Sequence, residues 1–377
     1  MRRVLVLINN SGIGGAERRL GRLFSHMTKQ DPDTLLVVNA GLWEKLLAAG
    51  VVTGGERRVR RFAEPCGRLA EGVGLRGAPA FWLRKLDYLL FCALLLARYG
   101  LARRRVLHLV LGGAYVALPL MLLRPDHRIV ISVVSADLAL LVGAPRALPV
   151  YRYALRRATV VDALSEAARA DAIRRGIDAG KILVSPGSAI DVDRFQSASK
   201  KQPWVVFAGR LVEEKNPLLF VEAVPAILRA VPTARIFLLG EGPLGPAVEQ
   251  AVERSGVRAA VTTGFLSDLA PIFGPARVFV SLQRQDNYPS QSLLEAMACG
   301  VAAVATDVGL TWKLVDETTG IRVKPNPDVI ASAVIQLLKD PQRCERLGQS
   351  ARRRVMEQHL EERYLAYLDS LYARVSA

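Results

Sequence analysis

The stretch Trp204–Asn216, WVVFAGRLVEEKN, decides the fold. Its first five residues, Trp204–Ala208, are a continuous apolar run of the length expected for a strand buried on both faces. Gly209 ends the run, a charged loop follows, and Leu218–Ala230 carries apolar residues at helical spacing. Strand, glycine turn and helix open a doubly wound parallel sheet, and the unit repeats downstream. Strands are predicted at Ala234–Leu239, Val261–Thr263, Val278–Leu282 and Ala302–Thr306, and helices at Val248–Ser255 and Ser290–Cys299, the latter closed by Gly300. From Asp328 onward the pattern is helical.

The same alternation runs upstream. Strands are predicted at Val4–Ile8, Leu35–Val38, Val106–Val110, Ile129–Val134, Val160–Ala163 and Ile182–Val184. A helix covers Ala16–Met27, and Ser165 is the N-cap of a helix through Arg175. The polar stretch Gln196–Pro203, QSASKKQP, has no period and reads as a linker. The reading is two α/β domains, 1–197 and 198–377, with the last helix packing back on the first. The 377 residues suffice for two such domains. Ligands of these sheets sit beyond the carboxyl ends of the strands, so facing strand ends make a cleft.

Composition removes other classes. With 51% hydrophobic and 23% charged residues the chain is neither disordered nor fibrous. Cys66, Cys92, Cys299 and Cys344 show no CxxC spacing, which argues for free buried thiols rather than zinc or a disulfide framework. The apolar run Val4–Ile8 is too short for an export signal. The net charge is +16, and residues 1–120 carry 19 Lys and Arg against 8 Asp and Glu, while residues 201–377 carry 20 against 19. The first half therefore expects an anionic partner. Its clusters are Arg57, Arg58, Arg60, Arg61 and Arg103, Arg104, Arg105. No aromatic-interleaved basic motif accompanies them, which argues against nucleic acid. The run Leu86–Ala97, LDYLLFCALLLA, falls short of the roughly 20 residues of a spanning helix. Flanked by Arg84, Lys85 and Arg98, it reads as an interfacial helix or a core helix with solvated ends.

Three loops carry chemistry. Ser11–Arg18, SGIGGAER, joins a strand to a helix, where Gly14 and Gly15 permit close approach of a ligand and the helix start favours an anion. It is not a nicotinamide-dinucleotide fingerprint, because Glu17 replaces the third glycine and the second strand ends in Asn39. After Gly209, Arg210 and Lys215 place a guanidinium fork and a point charge at a strand's carboxyl end, suited to a diphosphate. Third, Asp286–Gly300, DNYPSQSLLEAMACG, leads a polar loop into a helix; Ser290, Gln291 and Ser292 stand at its start, and Glu295 lies among apolar residues, a costly place unless a partner or ligand hydroxyl satisfies it.

The ordered set GGAER, GRLVEEKN, GEGPL, NYPSQSLLEAMACG and VAAVATDVG resembles the GT-B glycosyltransferases, specifically family 4, the retaining, nucleotide-sugar-dependent group. The resemblance spans nearly the whole chain and is strongest in residues 204–320. It implies two Rossmann-like domains facing each other across a cleft, the N-terminal one binding acceptor and the C-terminal one nucleotide sugar. It implies that Arg210 and Lys215 neutralise the diphosphate, that Glu295 binds the ribose hydroxyls, and that Gly14 and Gly15 face the diphosphate. The family's first acid falls at Asn287, with Asp286 as its neighbour, and the resemblance gives the donor site as Gly14, Gly15, Gly209, Arg210, Lys215, Asn287, Ser290, Gln291, Ser292 and Glu295. The family's N-domain histidine is absent: Ser135, Ala136 and Asp137 follow the strand, and His127 precedes it. No cofactor or metal is implied, although Asp191-Val192-Asp193 is a DxD string. The implied activity is hexosyl transfer to a glycan or lipid-linked acceptor in surface polysaccharide or glycolipid synthesis, at the cytoplasmic face of an anionic membrane. The altered acid and absent histidine suggest one alternative, a catalytically impaired scaffold or binding protein, and an epimerase of the same fold, which would bind a nucleotide sugar and transfer nothing, is a second.

Overall fold

The computed structural model describes residues 3–8, 14–75, 78–95, 97, 105–110, 127–134 and 148–376. Two compact units emerge, Met1–Pro186 with Tyr364–Ala377, and Gly187–Arg363.

The first unit holds a seven-stranded parallel sheet, β1 (Arg3–Leu7), β2 (Thr34–Asn39), β3 (Val59–Phe62), β4 (Val106–Val110), β5 (Arg128–Val133), β6 (Val160–Ala163) and β7 (Ile182–Val184), in the order β3-β2-β1-β4-β5-β6-β7. Leu5 pairs with Leu36 on one side and His108 on the other. The central strands read as unbroken apolar runs because helices cover both faces, and Val4, Leu5, Val6 and Leu7 are buried. The helix Gly15–Gln30 follows β1, and its Leu20, Leu23, Phe24 and Met27 turn one stripe inward. The strand β3, VRRF, is an exposed edge whose charges hid it from a periodicity reading.

The second unit holds β8 (Trp204–Ala208), β9 (Arg235–Leu239), β10 (Val261–Gly264), β11 (Val278–Ser281), β12 (Ala302–Thr306) and β13 (Gly320–Val323), all parallel, in the order β10-β9-β8-β11-β12-β13. Strand order reverses between β8 and β11, the switch point where such sheets open a ligand crevice. The helix Pro217–Ala230 starts with proline at its first position, where no hydrogen bond is lost.

The unit boundary is Pro186/Gly187, ahead of the polar stretch read as a linker. Ile190 and Phe195 explain this: both are buried in one core cluster with Val206, Phe273 and Leu293, so 187–203 packs with the second unit. Each such side chain contributes about 1.5–3 kcal/mol by leaving water. The helix Glu361–Ser376 belongs to the first unit from Tyr364 on. Its Tyr367 donates to Asp162 Oδ1 at 2.6 Å, and its Tyr372 hydroxyl lies 2.6 Å from His108 Nδ1.

Cys92, Cys299 and Cys344 are buried free thiols, whereas Cys66 is half-buried. Among the described residues no helix is long and apolar enough to cross a membrane. Ser11, Gly12, Arg98, Arg103, Arg104, Ser135, Ala136 and Asp137 lie outside the described residues, as do the side chains of Arg84 and Lys85.

Candidate functional site

The second unit gathers its polar residues at the carboxyl ends of β8 and β11. The loop after β8 is shaped by glycines elsewhere: a Cβ at Gly240 would overlap the Gly209 carbonyl, and one at Gly242 would overlap the backbone of Leu211. Leu211 N–H donates to the Glu241 carbonyl at 2.8 Å, so the GEGPL turn is the mould for Gly209–Leu211. Around Gly209 itself a Cβ would meet nothing within 4 Å, which leaves that side of the loop open. Asn216 closes the loop with φ 52°, the left-handed region that asparagine tolerates. Its Oδ1 accepts from Arg284 Nε at 2.7 Å, while the Arg284 guanidinium pairs with Glu213 at 3.0 Å.

Lys215 Nζ donates to Gln283 Oε1 at 2.8 Å, and the Gln283 carbonyl accepts from Thr306 Oγ1 at 2.7 Å. Burial, with the Arg210 cation beside it, pushes the Lys215 ammonium down to about 8. The Arg210 charge is therefore close enough to be felt at Lys215.

The loop after β11 enters the helix Gln291–Ala298, whose N-cap Ser290 makes no side-chain cap bond, so the first-turn N–H groups keep their donors. Glu295 is buried in this helix and accepts from Gln291 Nε2 at 3.0 Å. Ser188 Oγ donates in turn to Gln291 Oε1 at 2.5 Å. Asn287 is exposed, whereas Asp286 turns into its loop, where Oδ1 accepts from Tyr288 N–H at 3.2 Å and Leu310 N–H at 3.1 Å.

Gly209, Arg210, Lys215, Asn287, Ser290, Gln291, Ser292 and Glu295 thus share the second unit, on the two loops that flank its switch point and the helix that follows. Gly14 and Gly15 lie in the first unit, at the start of the helix after β1, where Gly14 N–H donates to Glu17 Oε2 at 2.8 Å. Asp191 caps its own turn by accepting from Arg194 N–H at 3.1 Å, and Asp193 is exposed. Sequence reasoning missed Gln283, Asn216, Arg284 and Ser188. The run SLQRQD after β11 was polar enough to suggest the first, but Ser188 lies 103 residues from its partner.

The fold and this site define a two-unit, doubly wound α/β protein with Arg210 and Lys215 on the loop beside the switch point of its second sheet. Residues 202–340 match the model of the Glycosyl transferases group 1 family. Among curated relatives, an alpha-D-kanosaminyltransferase of Streptomyces kanamyceticus is 30% identical over 219 residues, 53% of this chain and 56% of that protein. A GDP-mannose-dependent phosphatidylinositol monomannoside mannosyltransferase of Mycolicibacterium smegmatis is 31% identical over 233 residues, 54% and 60% of the respective chains. The chain thus spans a little over half the length of these relatives. Among solved structures, Anabaena HepE in complex with UDP-glucose has a TM-score of 0.74 at 17% identity, covering 99% of this chain and 100% of that one. Sucrose-phosphate synthase of Thermosynechococcus elongatus has the same score and identity over 100% and 99%. The fold is that of the GT-B glycosyltransferases.

Proposed function

We propose that the chain is a retaining glycosyltransferase that moves a hexose from a nucleoside-diphosphate donor to a hydroxyl of a glycan or lipid-linked acceptor. The observation that carries the reading is the Arg210 charge next to Lys215, which bonds to Gln283 in the loop that leads to the helix Gln291–Ala298, where Glu295 is buried one turn in. Departure of the leaving group builds negative charge on the β-phosphate. The two cations and the first-turn N–H groups oppose that charge without first having to reorganise. Glu295, oriented by Gln291, suits the paired hydroxyls of a ribose. The acceptor hydroxyl attacks from the face that the leaving group vacates, and no metal is required. Supporting the donor class, a neighbouring fold binds UDP-glucose; supporting a lipid-linked acceptor, relatives act on phosphatidylinositol mannosides. The basic first half is set against an anionic membrane at the cytoplasmic face, in polysaccharide or glycolipid synthesis.

A screen of nucleotide sugars by thermal shift, followed by transfer assays with and without EDTA, tests this reading. A donor that stabilises the protein and loses its sugar with retained configuration, in EDTA, is the expected result. Binding without transfer or turnover on any acceptor favours the scaffold, and epimerised donor favours the epimerase.

A further inference from the structure

Among the described side chains of the helix Ala78–Leu95, apolar residues stand on two faces. One face is core: Phe91, Cys92 and Leu95 are buried. Asp87, also buried, turns to the neighbouring helix Pro65–Gly72, and its two carboxylate oxygens accept from Cys66 N–H at 3.0 Å and Gly67 N–H at 2.6 Å. The other face shows Leu86, Leu89, Leu90 and Leu94 to solvent, with Leu89 65% and Leu94 57% exposed. Spacings of three, four and eight put these four on one stripe. Leu69 on the neighbouring helix and Val73 in the turn after it are exposed as well. Among the described residues, seven of the fourteen exposed large apolar side chains fall between Leu69 and Leu94. A row of exposed leucines on one helix face marks a contact surface.

Cations stand on the strand that touches this helix. Phe62, the last residue of β3, packs on Phe91 with ring centroids 4.7 Å apart, so β3 borders the helix pair. On β3 and the turn before it, Arg57, Arg58, Arg60 and Arg61 are all exposed, and none has a carboxylate partner among the described residues. A second copy of the chain seated on the stripe would bring two such cationic strands together, like charge against like. An anionic bilayer instead offers an apolar boundary for the leucines and phosphates for the arginines.

We propose that the helix pair Pro65–Gly72 and Ala78–Leu95 is an interfacial anchor, with its leucine stripe in the acyl boundary of an anionic bilayer and Arg57–Arg61 on the lipid phosphates. This rests on the membrane-side reading above and names the element that performs it. The test is flotation with phosphatidylcholine vesicles, with and without phosphatidylglycerol, at low and high salt. The protein floats with the anionic vesicles, and Leu89→Asp/Leu94→Asp lowers the bound fraction about tenfold or more, since each leucine buried in lipid is replaced by a charge. Because both positions are exposed, melting temperature and nucleotide-sugar binding, measured without lipid, stay as in the parent protein. Arg57→Ala/Arg61→Ala, a pair outside the stripe, lowers the salt-sensitive part of binding, with Arg58 and Arg60 keeping the rest. Equal flotation of the leucine variant and the parent overturns the proposal. So does a parent that ignores vesicles and elutes as a dimer split by Leu89→Asp. Donor binding is read separately, so loss of the anchor and loss of the transferase reading give different results.

Discussion

Lys215 Nζ donates to Gln283 Oε1 at 2.8 Å, and this bond ties the loop after β8 to the loop after β11 across the switch point of the second sheet. The two loops on which the proposed donor site rests are therefore joined by the protein's own side chains, and the Lys215 ammonium is held in place by that bond.

Removing the cations should be costly in proportion to that charge. Arg210→Ala should lose about 2–4 kcal/mol of transition-state stabilisation. A fall in kcat/KM of less than about threefold would count against the role.

The pH dependence follows from Lys215, pushed down to about 8 by burial and by Arg210. Its charge is complete below pH 8 and disappears as pH rises through that value. Affinity for a nucleoside diphosphate should therefore weaken above pH 8, and Lys215→Met should flatten that limb. Without ligand the sign reverses for stability: between pH 8 and the unfolded value near 10.5 the unfolded chain binds the extra proton, so the fold gains. Calorimetric titration of a nucleoside diphosphate across pH 7–9.5 measures the first effect, and an affinity that does not change with pH contradicts it.

Glu295 should report the ribose. Glu295→Gln should weaken nucleoside-diphosphate binding by about 1.5–3 kcal/mol, the worth of hydrogen bonds to a charged group. Ser188→Ala, which removes a donor from Gln291 Oε1 and so loosens Glu295, should cost about 0.5–1.5 kcal/mol. The parent protein should discriminate against the 2′-deoxy diphosphate and Glu295→Gln should not. Persistent discrimination in that variant would show that Glu295 serves only packing.

Asp286 and Asn287 should separate cleanly. Asp286 holds its loop through the amides of Tyr288 and Leu310, and a Cβ at Gly309 would collide with it. Asp286→Ala should lower the melting temperature, with about 1–3 kcal/mol lost where two amides lose their acceptor. Asn287, exposed, should leave stability alone and change kcat/KM when replaced by alanine. If Asp286→Ala is inactive at unchanged melting temperature while Asn287→Ala is near the parent, the family's first acid has moved to Asp286.

In the first unit Tyr372 donates to His108 Nδ1, His108 Nε2–H donates to Ser132 Oγ at 2.7 Å, and Ser132 donates to Asp162 Oδ2 at 2.5 Å. This direction is the one that satisfies every member with a neutral imidazole and an ionised carboxylate. Burial pushes His108 down to about 3. Between pH 6.5 and 3 the unfolded chain binds a proton that the fold does not, so stability should fall with acid. Burial raises Asp162, which opposes this near its own titration. Urea unfolding at pH 7 and pH 5 should show His108→Gln with a shallower acid loss than the parent. Tyr372→Phe, which leaves Nδ1 unpaired, should cost about 1–3 kcal/mol at pH 7.

The sequence by itself determined the elements whose burial is local. Trp204–Ala208 and Val4–Leu7 read as two-faced strands because helices cover both sides, and Gly209, Arg210, Lys215 and Glu295 were visible because residue type and spacing within one loop or helix carry their chemistry. Of the four edge strands, β7 and β10 were legible and β3 and β13 were not: β3 shows two arginines to solvent, so its backbone pairing leaves no apolar period. Only the tertiary structure decided which long-range partners close the polar accounts. Gln283 reaches Lys215 from 68 residues away, Ser188 reaches Gln291 from 103, and Tyr372 reaches His108 from 264. A buried polar atom must find a partner, but any hydroxyl or amide that the fold brings within reach can serve, so the sequence states the need and only the packed chain names the residue that meets it.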